Sequence, residues 1–100
     1  MYGTIARIHP RPGEINALRG LLDEWNRDRG PRVAGSRGGY LFVPDRNPYD
    51  RPTAFLVAIF DDERTYRANA DDPEQHAWYV RMRDLLDDDP DWMDGTFTAA

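Results

Sequence analysis

The chain has 100 residues, of which 40% are hydrophobic and 31% charged, so it reads as one folded domain over residues 1–100 and not as a disordered tail. Its net charge is −5, and its thirteen basic residues are all arginines interleaved with aspartates, which excludes the basic face that nucleic-acid binding requires. There is no cysteine and no lysine, which removes disulfides, iron–sulfur clusters, thiolate nucleophiles, Schiff-base chemistry and a Walker-type phosphate loop.

With two histidines and no cysteine, no multi-histidine metal site fits within one protomer, and the expectation is no metal and no bound cofactor. The opening MYGTIARIHP lacks an apolar signal region. The longest apolar run, Ala54–Phe60, is seven residues, far short of a membrane span. A cytoplasmic location needs no further assumption.

Tyr2–His9 reads as a strand with Tyr2, Thr4, Ala6 and Ile8 on one face, ended by Pro10 and Pro12. His9, at its end, is expected to be exposed. Glu14–Arg29 reads as an amphipathic helix through Ile15, Leu18, Leu22 and Trp25, stopped at Gly30-Pro31. Gly20 inside it suggests close approach to a sheet. Arg32–Gly38 reads as a loop, Gly39–Val43 as a second strand, Asp45–Pro52 as a polar turn and Thr53–Phe60 as a third strand. Asp61 is the expected cap of a short helix over Glu63–Ala70. Asp72 then caps a second, with Pro73 in its first turn, running to about Leu86 through Trp78, Met82 and Leu85. Trp92–Thr98 reads as a last strand.

The order β-α-β-β-α-β is the ferredoxin-like pattern of an α+β fold: a four-stranded antiparallel sheet with helices on one face. The third strand is apolar on both faces, and helices cover only one. The expected resolution is a homodimer packed sheet against sheet.

The opening MYGTIARIHPRPGE, the third strand leading into FDDERTYRANADDPEQHAWYVRMRDLL, and the closing DPDWMDGTF together resemble the antibiotic-biosynthesis monooxygenase-type domain of the dimeric α+β barrel superfamily. The resemblance implies a pocket within each protomer between sheet and helices. It also implies either cofactor-independent oxidation of a phenol, quinol or polyketide-like aromatic by dioxygen, or a non-catalytic small-molecule-binding or stress-response role. A cyclase or isomerase is a third option for the same pocket. Haem degraders of this superfamily carry an asparagine on the first strand, a tryptophan ending the third and a histidine on the following helix. Here Ala6 and Phe60 occupy the first two positions and only His76 matches the third, which tells against haem degradation.

His76 is the candidate catalytic base, since removal of a phenolic proton needs a group titrating near neutrality. The alternative is a surface histidine in the first turn of its helix. Tyr79, three residues on, shares its face. Tyr66, Trp78, Tyr79, Trp25 and Asn69 are candidate substrate-binding residues for a small aromatic ligand; the alternative for Trp25 and Trp78 is core packing. Arg83 is a further ligand-polarising candidate. Tyr40 and Phe42 share a strand face, which is either pocket or dimer core. The run Asp87–Asp94 resembles a calcium loop but lacks the required glycine and glutamate, and it reads as a solvated helix end.

Overall fold

The computed structural model describes residues 1–100. Its elements are β1 (Tyr2–Ile8), α1 (Ile15–Glu24), β2 (Ser36–Phe42), β3 (Ala54–Phe60), α2 (Glu63–Ala70), α3 (Pro73–Arg83) and β4 (Asp91–Thr96). The sheet is antiparallel in the order β2-β3-β1-β4, with the two most apolar strands at its centre. This is the ferredoxin-like α+β arrangement expected from the sequence. No helix is long and apolar enough to cross a membrane.

The strand alternation divides the sheet as the pleat requires. Thr4, Ala6 and Ile8 of β1 and Ala54, Leu56 and Phe60 of β3 are buried on the helix side. Ala6, Ile8, Ala54 and Leu56 meet Leu18, Leu21 and Leu22 of α1, Met82 of α3, and Leu86 in one continuous core, while Phe60 packs against Tyr66 of α2. Fully burying a leucine, isoleucine or methionine is worth about 1.5–3 kcal/mol, so these positions hold the helices to the sheet. On the opposite face Tyr40, Phe42 and Met93 are 55%, 57% and 66% exposed, beside the half-buried Ile5, Phe55, Val57 and Ile59. Tyr40 pairs with Val57 and Phe42 with Phe55 in the register. Tyr40 and Phe42 therefore belong to the open sheet face and not to the pocket side.

Several local expectations are corrected. The first helix is regular only to Glu24. A π-helical turn then covers Trp25–Arg29, closed by Gly30 N–H to the Trp25 carbonyl, and Gly30–Arg32 continue as a 3₁₀ turn. Proline at the first turn of a helix loses no bond that the helix could make, so Gly30-Pro31 redirects the chain instead of stopping it. β2 starts three residues early, at Ser36, where Gly35 takes φ +76° with Thr65 of α2 packed against its α-carbon. Asp62, not Asp61, caps α2 by accepting from Thr65 N–H at 2.9 Å. α3 ends at Arg83, and Leu86 instead forms a bridge with Pro10. Gly20 faces open space.

His9 is buried, against expectation. Its Nδ1 lies 3.2 Å from Thr53 Oγ1 and 3.3 Å from the Pro52 carbonyl, because the loop entering β3 folds over the end of β1. In Asp87–Asp94 the acids pair with arginines. Arg51 contacts Asp88 at 2.9 Å, Arg83 contacts Asp89 at 2.6 Å, Arg7 contacts Asp91 at 3.1 Å and Arg67 contacts Asp94 at 3.1 Å. Arg83 is thus held away from the pocket.

Candidate active site

A cavity of about 440 Å³ lies between the sheet and the helices. Its origin is a row of small residues crossing the sheet. Gly39 pairs with Ala58, Ala58 with Thr4, and Thr4 with Asp94. In the adjacent row, Leu41–Leu56–Ala6–Trp92, Leu41 and Leu56 pack into the core and Trp92 stands at the cavity edge. Where the side chains shrink, the helices span a gap.

The roof comes from three helical segments. Leu22 of α1 and Trp25 of the π turn form one wall. Tyr66, Asn69 and Ala70 of α2 form the second, and Gln75, His76, Trp78 and Tyr79 of α3 the third. Six of the residues singled out in the sequence (His76, Tyr66, Trp78, Tyr79, Trp25 and Asn69) therefore border one space, and Arg83 does not. They are not equally placed. Trp25 is 5% exposed and lies deep. Trp78 is half-buried, packs on the core and donates from Nε1 to the Leu21 carbonyl at 3.2 Å. His76 is exposed at the rim and its ring has no hydrogen-bond partner in the protein; it stands 6.3 Å from the Tyr79 ring, which lies 6.2 Å from Trp92. His76, Tyr79 and Trp92 thus run along one edge of the opening.

At one end of the cavity Tyr66 Oη donates to Asp94 Oδ1 (2.8 Å), and Arg67 Nη1 donates to Asp94 Oδ2 (3.1 Å). The Arg67 guanidinium also lies over the Tyr66 and Tyr2 rings, 5.3 and 5.8 Å from their centroids. Burial pushes the Asp94 carboxyl up, but the hydrogen bonds from Tyr66, Thr4 and Arg67 outweigh it and hold the group below the usual carboxylate range. Burial, reinforced by the bond to Asp94, pushes the Tyr66 phenol up to about 12. At neutral pH this end presents a carboxylate and a neutral phenol that acts as donor, so Tyr66 is unsuited to act as a base.

At the other end, Trp25 Nε1 donates to Gln75 Oε1 at 2.8 Å. Arg29, on the same π turn, is buried and donates to Gln75 Oε1 (3.3 Å), Asn69 Oδ1 (2.8 Å) and Glu74 Oε2 (2.7 Å). Gln75, Arg29, Asp94, Thr4 and Trp92 were not singled out from the sequence. Gln75 had a readable signal, since it stands three, four and seven residues before Trp78, Tyr79 and Met82 on one helix stripe. Arg29 had none, because its position depends on the π turn. No group of histidine, aspartate or glutamate side chains in the structure is arranged to hold a metal ion.

The fold is shared with solved structures over nearly their whole length. A Mycobacterium tuberculosis protein is 20% identical, with a TM-score of 0.73, covering 99% of this chain and 96% of that one. A proposed antibiotic biosynthesis monooxygenase from Nitrosomonas europaea is 13% identical, with a TM-score of 0.75, covering 99% of this chain and all of that one. A protein given the same proposed role, from Deinococcus radiodurans, is 11% identical, with a TM-score of 0.74, covering 100% of this chain and 95% of that one. The chain thus has the fold of antibiotic-biosynthesis monooxygenase-type domains, and at these identities the likeness is one of fold. No protein-family profile and no curated protein sequence matches it.

Proposed function

We propose that the protein binds a small, flat aromatic in this cavity and oxidises it with dioxygen, without a cofactor. The observation that carries the reading is the cavity itself: an aromatic-walled space of about 440 Å³ with a histidine at its rim, in a fold shared with proteins named for monooxygenation. Its size suits a two- or three-ring ligand. His76 takes the phenolic proton. The phenolate gives one electron to dioxygen, and the resulting radical pair joins at a ring carbon as a hydroperoxide. Loss of water leaves a carbonyl where a C–H stood. One oxygen atom enters the product and the other leaves as water, so a phenol becomes a quinone with no external reductant. Trp25, Trp78, Tyr79, Tyr66 and Asn69 position the ring.

A second reading, a ligand-binding protein without turnover, is favoured by the exposure of His76 and its lack of an orienting partner. Oxygen uptake on a panel of hydroquinones decides between them. Uptake that falls at least a hundredfold in His76→Ala supports the oxygenase. Binding without uptake supports the second reading.

The working form proposed is a homodimer joined through the open sheet face. Tyr40, Phe42, Met93 and the aliphatics of β3 form a contiguous apolar surface there that no helix covers.

A further inference from the structure

The two carboxamides at the Arg29 end of the cavity are held in fixed orientations. Gln75 Oε1 accepts from both Trp25 Nε1 and Arg29 Nε, and Asn69 Oδ1 accepts from Arg29 Nη2. Turning either amide over would set an NH₂ group against the N–H donors of a buried cation, so the oxygens stay on Arg29. Nε and Nη2 lie on one edge of the guanidinium, which brings the two amides side by side at the junction of α2 and α3. Neither Asn69 Nδ2 nor Gln75 Nε2 has an acceptor within the protein, and neither is sealed from solvent. Both residues border the cavity.

We propose that the Asn69 and Gln75 NH₂ groups form a paired donor subsite for an oxygen acceptor of the ligand, a carbonyl or phenolate oxygen on the aromatic ring, and that Arg29 is the positioning residue that orients them. This rests on the reading of the cavity as the ligand site and specifies the ligand: a ring system carrying an oxygen on the edge that faces Asn69 and Gln75, not a plain hydrocarbon. Such an oxygen gains negative charge when the ring is deprotonated or reduced, and preset amide donors favour that charge without reorganising. The guanidinium, drawing on both amide oxygens, makes their N–H groups more acidic and better donors. The site discriminates because a ligand lacking the oxygen leaves two desolvated donors unmet.

The test uses Gln75→Glu and Asn69→Asp. Each keeps an oxygen on Arg29 and, at position 75, on Trp25, yet replaces an N–H donor by a carboxylate oxygen. The probes are 2-methyl-1,4-naphthoquinone and 2-methylnaphthalene, titrated by calorimetry. All three tryptophans of the chain border the cavity, so quenching of their emission by the quinone reports that it binds there. The expected result is a quinone preference of at least tenfold in the parent protein, lost in both folded variants because quinone affinity falls at least tenfold further than hydrocarbon affinity. Equal binding of the two probes by the parent, or a loss in the variants that is equal for both probes, overturns the paired-donor subsite while leaving an aromatic site. Binding of neither probe overturns both. A quinone preference that depends on Asn69 and Gln75, without oxygen uptake on any hydroquinone, sustains the subsite and refutes the oxygenase.

Discussion

The Tyr66 hydroxyl donates to Asp94 Oδ1 at 2.8 Å, tying α2 to the edge strand β4 at one end of the cavity. Without it β4, whose side chains are mostly exposed, is held to the helical layer by the ion pair of Asp94 with Arg67 and the contact of Trp92 with Tyr79.

Tyr66→Phe is expected to cost about 1 kcal/mol at neutral pH, a fall of roughly 5 °C in Tm, after discounting for the partial exposure of the pair. The pH dependence has two limbs. Asp94 titrates below its ordinary range in the fold, so its contribution is present above the unfolded carboxylate value and lost as pH falls through the lower folded value. The difference between parent and variant therefore shrinks in acid. Tyr66 is pushed up to about 12, so its contribution is complete below the ordinary phenol value and is lost as pH rises from there to about 12. The variant lacks that alkaline loss. Thermal melts from pH 3 to 12 check both limbs; an unchanged difference across the range would contradict the assignment.

The open sheet face makes a prediction of its own. Light scattering at micromolar concentration should give twice the 11.6 kDa chain mass. Phe42→Glu combined with Met93→Glu should yield a folded monomer, because both side chains are more than half exposed in the single chain and their replacement costs the protomer little. A monomeric parent would refute sheet-to-sheet pairing.

Gly39 sets one wall of the cavity by having no side chain. A β-carbon there would stand 3.0 Å from Leu22 Cδ1, the movable end of a flexible side chain. Gly39→Ala should fold, with stability within about 1 kcal/mol of the parent, and should weaken aromatic-ligand affinity roughly tenfold by occupying ligand space. Calorimetric titration beside a thermal melt separates the two effects. Full affinity would mean that the ligand does not reach this wall.

The strands and helices were legible because their signals are local. The alternation in β1, the Asp72-Pro73 start of α3 and the apolar run of β3 each report a neighbourhood of a few residues. Six cavity residues were legible as well, since aromatic side chains and a histidine concentrate in one stretch. What escaped depends on relationships across the chain. The cavity exists because Gly39, Ala58 and Thr4 fall in one row, which only the strand register reveals. His9 is covered by a loop more than 40 residues away. Arg29, the last residue before the helix stop, has no local signal and proves to be a buried anchor.

The π turn at Trp25–Arg29 gives that anchor an unusual dependence. A chain continuing as a regular α-helix would advance by about 100° per residue, whereas this segment closes its ring one residue later. The direction in which Arg29 leaves the helix thus depends on how many residues separate it from Leu22. Arg27 and Asp28 are exposed and pair with each other, while Asn26 grips the Gly39 backbone, accepting from its N–H at 3.0 Å and donating to its carbonyl at 2.9 Å, so the same turn also fixes β2 beside the cavity. Among proteins sharing this fold, insertions and deletions at the end of the first helix would then divide those that hold a cation behind the pocket from those that do not.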